Sequence, residues 1–358
     1  MRYWLDLLTP KQLLFFRPVI GELEAGGHVV LATARGYREV EQLASLLGMS
    51  LQFVGARGGR DPLDQLKASL GRMTSLVPIV ADFRPDVAVS VASADCARLA
   101  FGMRVRHVAV NDSPHSTVAG RLALPLSSHL LSPWIIPYSA WRRFGLERGD
   151  ITRYRALDPA AWLKREPRAP AGTAAKAHGR PTILVRLEET YAPYMMGTDE
   201  SWPGRVLDRL ASEFGGSRLV ALCRYQDQLD KVRQKYGHAF EVPEKAVDGA
   251  TMIRSSDVFI GMGGTMTTEA ALLGVPTISA YQGSGLYTEK YLLSKKLLLK
   301  TQSLETLTRY VKKALTQEYR DRCAAGARRL LDWMEDPVQR VVEHLTAPDP
   351  RKVQSVSA

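Results

Sequence analysis

Cysteine is scarce: three in 358 residues, Cys96, Cys223 and Cys323, widely separated and forming no CxxC pair. That excludes a disulfide framework and a thiolate zinc site, and leaves the three as small core residues suited to a reducing compartment. Long apolar runs are missing too. No stretch approaches the ~20 uninterrupted apolar residues that a membrane span requires. The N-terminal "MRYWLDLLTPKQ" is broken by Asp6 and Lys11 and precedes no small-residue cleavage site, so no signal peptide is expected and cytoplasmic residence is the default. There is no RNP, helix-turn-helix or zinc-finger pattern, so nucleic acid is not an expected partner.

What is present is basic charge and alternation. Forty-eight Lys and Arg against 37 Asp and Glu give a net charge of +11, which points to phosphorylated ligands or an anionic membrane surface. The first half alternates short apolar runs with amphipathic stretches: "RYWLDLL", "KQLLFFRPVIGELEAGG", "HVVLATA", "REVEQLASLLG", "LQFVGA", a helix near Asp64–Phe83, "DVAVSVA", "ADCARLAFGM" and "HVAVND". Such alternation predicts a parallel sheet with helices on both faces, a doubly wound α/β fold. The stretch Lys164–Pro181, rich in Pro, Ala, Gly and basic residues, reads as a linker. Beyond it the alternation restarts with "TILVRL", "WPGRVLDRLASEFG", "RLVALCR" and "QLDKVRQKYG". The expected organisation is a domain over 1–163, a linker over 164–181, a second domain over 182–335, a helix over 336–346 and a disordered tail over 347–358.

One stretch interrupts the pattern. In "SDVFIGMGGTMTTEAALLGVPTISAY" a buried strand stops at Gly261, Gly263 and Gly264, and a helix opens at Thr265. Glycine lets a backbone approach a phosphate and adopt positive φ. The amides of Gly264, Thr265 and Met266 become the unpaired donors of a helix start, facing negative charge. Thr265, Thr267 and Thr268 add hydroxyls, and Glu269 stands one turn in, where it can accept from a ribose diol. A plain glycine turn with a capping threonine explains the same residues structurally. The loop is neither a Walker A sequence nor GxGxxG.

The same stretch resembles the nucleotide-diphosphate loop of GT-B-fold sugar enzymes, with their "GG-x-x-x-x-E-A-x-x-x-G-x-P" pattern. "DLLTPKQLLFFRPVIGELEAGGHVVLATAR" and "VNDSPHSTVAGRLALPLSSHLLSPWIIP" resemble a largely archaeal family, domain of unknown function 354, placed among the GT-B folds. The likeness runs from about Arg2 to about Lys300. It implies two Rossmann-like domains facing across a cleft, and a nucleotide-diphosphate sugar, UDP-linked by expectation, as ligand. It further implies a glycosyltransferase acting on a glycan or lipid-linked acceptor. GT-B enzymes generally need no metal, and no DxD-type site occurs here in a suitable place, so no metal or other cofactor is expected. The alternatives are a sugar-nucleotide epimerase like the UDP-N-acetylglucosamine 2-epimerases, and a nucleotide-sugar binding protein without catalysis. Against epimerisation, the "H-R-x-E-N" motif of those enzymes reads Val185-Arg186-Leu187-Glu188-Glu189, with Val185 replacing the histidine. Their "GG-x-x-E-E" is also shifted, with Glu269 falling after Thr267 and Thr268.

Candidate chemistry in the first half sits at predicted strand ends. Asp95 matches the epimerase aspartate, and Asn111–Asp112 takes roughly the place of the following glutamate. Asp112 or His115 suits a general base, a neutral imidazole beside a carboxylate being the versatile choice near pH 7. Read structurally, Asp95 is a helix cap and His115 a turn residue. Thr9 and Lys11 form a second possible anion or acceptor site, and Gly58 and Gly59 of "GARGGR" a possible glycine loop. In the second half Arg186 and Arg224 follow strands, where an arginine can hold a phosphate bidentately. "EVPEKAVDGATMI" suggests a strand ending near Val242. In Ser132–Gly145, Trp134, Ile135, Ile136, Tyr138 and Trp141 beside Arg142 and Arg143 fit either a core strand and helix or a peripheral contact with the anionic inner membrane face.

Overall fold

The computed structural model describes residues 1–59, 61–166, 179–188, 199–244 and 248–348. Residues 167–178 of the expected linker, Glu189, and residues 349–358 of the expected tail lie outside the described set. The chain forms two compact units. One comprises Met1–Val40, Gly48–Trp162 and the chain from Glu335 onward; the other comprises Glu41–Leu47 and Leu163–Met334.

From the N-terminus the elements are β1 (Arg2–Leu7), α1 (Pro10–Ala25), β2 (Val29–Gly36), α2 (Arg38–Leu46), β3 (Gln52–Ala56), α3 (Pro62–Phe83) and β4 (Val87–Ser90). There follow α4 (Ala94–Gly102), β5 (Arg106–Val110), α5 (Thr117–Ala123), β6 (His129–Pro133), α6 (Ser139–Arg142), β7 (Ile151–Tyr154) and α7 (Ala160–Leu163). These strands form a seven-stranded sheet in the order β3-β2-β1-β4-β5-β6-β7, with every neighbouring pair parallel. β1 is central, and Tyr3, Trp4, Leu5, Asp6 and Leu7 are all buried. A near-continuous apolar strand is what a parallel sheet covered on both faces demands. Asp6 is the one buried charge in it.

The second unit runs β8 (Thr182–Arg186), α8 (Trp202–Glu213), β9 (Arg218–Leu222), α9 (Gln226–Tyr236), α10 (Gly249–Arg254), β10 (Val258–Gly261) and α11 (Thr265–Leu272). It continues with β11 (Thr277–Ser279), α12 (Tyr287–Ser294), β12 (Leu298–Lys300), α13 (Leu304–Ala314) and α14 (Gln317–Trp333). Its five-stranded sheet has the order β12-β11-β10-β8-β9, again all parallel. Successive side chains of a strand point to opposite faces, and the core divides accordingly. Ile183, Val185, Val258 and Ile260 join one cluster, while Leu184 and Phe259 join the other with Ala270 and Val275.

Helix α15 (Pro337–Thr346) belongs to the first unit. The Tyr3 hydroxyl donates to the Leu345 carbonyl at 3.0 Å, and His344 stacks on His129 with centroids 4.1 Å apart. The strand expected to end near Val242 is only an isolated parallel bridge between Val220 and Glu241. Pro243 lacks the N–H that would continue the ladder. Among the described residues no helix is long and apolar enough to cross a membrane.

Candidate functional site

Open parallel sheets bind ligands outside the carboxyl ends of their strands, where the strand order reverses. In the first unit the reversal lies between β1 and β4; in the second it lies between β8 and β10. Thr9, Lys11 and Asp95 therefore flank one switch point, and Arg186, Gly263 and Gly264 flank the other.

At the second switch point the backbone is bare. Gly263 and Gly264 have φ of 101° and 84°, a region that side chains with a Cβ rarely enter. Gly264 precedes α11 with no side-chain cap on that helix start. The first amides of α11 therefore lack intrahelical partners, and the helix dipole adds partial positive charge. A Cβ on Gly261 would fall 2.1 Å from Thr267 Oγ1, so glycine there lets Thr267 fold back under the strand end. Thr267, Thr268 and Glu269 are buried, and Thr265 and Met266 are half-buried. Glu269 is engaged inside the protein, so a ribose would meet it as a competing partner.

Arg186 ends β8, and its guanidinium donates to the Cys223 carbonyl at 3.2 Å. Arg224, after β9, is held through its amide by Gln228 Oε1 at 2.8 Å. The two arginines thus close adjacent strands. Glu188 is 6% exposed; burial, with Glu200 and Asp199 adding repulsion, pushes its carboxyl up to about 7. Sequence reading missed Lys300. It ends β12, donates to Glu289 Oε2 at 2.5 Å and lies 5.3 Å from the Tyr281 ring centroid, the ring against which Gly263 packs.

At the first switch point the space is filled by protein charge. Arg72 reaches Asp6 Oδ1 at 2.5 Å and Asp95 Oδ2 at 3.0 Å, and donates to the Val54 carbonyl at 2.9 Å. Ser93 and Thr33 donate to Asp6 at 2.7 and 2.8 Å. Ser69 donates to Asp95 at 2.5 Å, and Arg35 approaches it to 3.5 Å. Burial raises the Asp6 carboxyl, but Arg72 and the hydroxyl donors outweigh it and hold it below the usual carboxylate range. Asp95 is fully committed to this network. Ser93, not Asp95, caps α4, accepting from the Cys96 amide at 3.2 Å. Gly58 packs against α3, where a Cβ would stand 2.6 Å from Gln65 Cα; Gly59 accepts from Gln65 at 3.2 Å.

Beside it the structure joins Lys11, Asp112 and a residue the sequence did not suggest, Asp158. Lys11 Nζ lies 2.6 Å from Asp112 Oδ1 and 2.7 Å from Asp158 Oδ2. Ser113 donates to Asp112 at 2.7 Å and Tyr154 to Asp158 at 2.6 Å. Burial disfavours the Lys11 ammonium, but the two carboxylates prevail and raise its pKa. Two carboxylates share that one cation. Burial opposes ionisation of Asp112, yet Lys11 lowers its pKa; burial and the Asp112 charge raise that of Asp158. Such divergent neighbours are a hallmark of acid–base sites. His115 is kept neutral at pH 7 by burial, with Lys11 and Arg143 opposing its protonation against the pull of Asp112. Arg143 donates to the Pro114 carbonyl. Thr9 begins α1 without a side-chain cap bond. In the aromatic stretch Ile136 and Trp141 are wholly buried, which removes them from any membrane contact and leaves Trp134 and Tyr138 half-buried.

The uncharacterized protein MJ0665 of Methanocaldococcus jannaschii is 24% identical over 353 residues, covering 96% of this chain and 97% of its own length. Among solved structures, the UDP-GlcNAc 2-epimerase from Neisseria meningitidis bound to UDP-GlcNAc is similar with a TM-score of 0.72 and 15% identity, over 96% of this chain and 99% of that one. The spinosyn forosaminyltransferase SpnP is similar with a TM-score of 0.59 and 16% identity, over 100% of both chains. The fold is thus the two-unit α/β arrangement of the GT-B and epimerase structures. The model of the family described as Protein of unknown function (DUF354) matches residues 1–346, and the chain belongs to that family.

Proposed function

We propose that the protein binds a nucleoside-diphosphate sugar through the Gly263–Met266 turn and transfers the sugar to an acceptor hydroxyl. The observation that carries this reading is the pair of positive-φ glycines, which bare an uncapped helix start at a strand-order reversal. Amide donors and a helix dipole stabilise the charge that develops on a departing diphosphate. The neutral His115 imidazole, beside Asp112, takes the proton of the acceptor hydroxyl. The acceptor oxygen bonds to the anomeric carbon, the bond from that carbon to the phosphate oxygen breaks, and its electron pair leaves with the nucleoside diphosphate.

Epimerisation is the second reading, favoured by the TM-score of 0.72 to an epimerase against 0.59 to a glycosyltransferase. Two features of this chain weigh against it: Val185 in place of the motif histidine, and Asp95 spent on Arg72 and Arg35. Incubation with UDP-N-acetylglucosamine in deuterated water separates the readings. Transfer or slow hydrolysis releases UDP, leaves C2 free of deuterium, and is lost in His115→Ala and Asp112→Asn. Deuterium at C2 would overturn the transferase reading. UDP-sugar binding with no turnover under any condition would leave a binding protein.

A further inference from the structure

A pocket of about 470 Å³ in the first unit is lined by Trp134, Tyr138, Arg153, Arg155, Glu335 and Arg340. Trp134 directly follows β6 and Arg155 directly follows β7, so the pocket opens at the carboxyl end of the sheet edge. Asp158 lies on the same loop as Arg155. The volume lies within the range of small-ligand sites, and the lining has an unusual composition: three guanidinium groups, one carboxylate and two large aromatics.

One of the lining guanidinium groups is held in place. Arg153 sits 4.1 Å from the Tyr138 ring centroid and donates to the Trp134 carbonyl at 3.2 Å. Arg148 approaches the same ring to 5.2 Å. The Trp134 amide is pinned to the Tyr154 carbonyl at 2.8 Å. The one carboxylate of the lining, Glu335, accepts from the Arg155 amide at 2.8 Å and stands 3.8 Å from Arg340 Nε, while Glu343 Oε2 lies 3.3 Å from Arg340 Nη1. Planar guanidinium groups stacked on aromatics lose little freedom on binding and match phosphate oxygens bidentately.

We infer that this pocket binds a phosphate monoester, whose oxygens suit the bidentate geometry of its guanidinium groups. If the transferase reading holds, on which this second step rests, the phosphate belongs to the acceptor. Its source is either a soluble phosphorylated glycan or a lipid headgroup.

Two probes share the headgroup chemistry: glycerol phosphate in solution, and phosphatidylcholine vesicles with or without phosphatidic acid. Calorimetric titration of glycerol phosphate into the full chain is expected to saturate and to weaken at least about tenfold in Arg155→Ala/Arg340→Ala, which loses charge-assisted bonds. Both side chains are exposed, so the variant is expected to fold; its melting curve checks this. Flotation with phosphatidic acid vesicles that depends on these arginines assigns the phosphate to a lipid. Glycerol phosphate binding without flotation assigns it to a soluble acceptor. Absence of both in the wild type, or equal binding by the folded double variant, overturns the pocket. UDP is titrated into the same preparations. Loss of UDP binding with arginine-dependent glycerol phosphate binding intact overturns the nucleotide reading and leaves the pocket standing.

Discussion

The two strand-order reversals of this molecule share a topology and differ in where the charge comes from. At the β1–β4 reversal Asp6, Arg72 and Asp95 are buried, and each finds its partner within the protein. At the β8–β10 reversal the turn itself carries backbone and hydroxyl groups; Gly264 is exposed and the helix behind it has no side-chain cap. A buried ion-pair network costs desolvation and returns it only while complete. A bare helix start carries partial positive charge that a ligand can complete. The first arrangement fixes a geometry, and the second leaves one open.

The largest test of this contrast is Arg72→Met. It strands two buried carboxylates, and we expect the first unit to lose about 3–5 kcal/mol, read by hydrogen exchange in β1 and β4. Replacing Asp6 and Asp95 as well, by Asn and Leu, should recover much of that loss. Full stability of Arg72→Met alone would deny the network its role.

Acidity should act on the two units in opposite directions. Buried His107 is held down to about 4 from 6.5 by desolvation. The unfolded chain therefore binds the proton first, and the first unit loses up to about 3 kcal/mol as pH falls from about 6.5 to 4. Glu188 is raised from 4.5 to about 7. The folded state then holds the extra proton, and its contribution, about 2 kcal/mol after solvent screening, is lost as pH rises from about 4.5 to 7. Glu188→Gln should flatten the second slope alone, and exchange rates followed across that range would reveal it.

A smaller effect belongs to Glu269→Ala, expected to weaken nucleotide binding by about 1–2 kcal/mol through lost hydrogen bonds to the ribose; unaltered affinity in the folded variant would remove Glu269 from the site. The smallest belongs to Thr9→Ala. Thr9 makes no side-chain cap bond, so thermal melting should register less than about 0.5 kcal/mol, below the usual cost of losing a cap.

Much of this was legible in the sequence because the signals are local. Apolar runs give β8 and β10, and the glycines that end the second give the turn at Gly263. The anion turn could be found because its chemistry lies in consecutive residues. Asp6 looked like an interruption of a strand, because its partner Arg72 is 66 positions away. Asp158 escaped notice because "LDPAAW" reads as a Pro-started helix; only the crossing to β7 brings it to Lys11. The short, charged "ITRY" of β7 gave no strand signal, and with it the Arg153–Tyr138 stack was invisible. Asp95 was readable as important, but its commitment to two arginines is a tertiary fact.

The most direct measurement is calorimetric titration of UDP into the wild-type chain and into Gly264→Val, whose β-branched side chain is strained at a φ of 84°. The account predicts saturable binding to the wild type that is lost in the folded variant. Undiminished binding by Gly264→Val, or no binding of UDP or any other nucleoside diphosphate by the folded wild type, would contradict it and leave the turn a structural one.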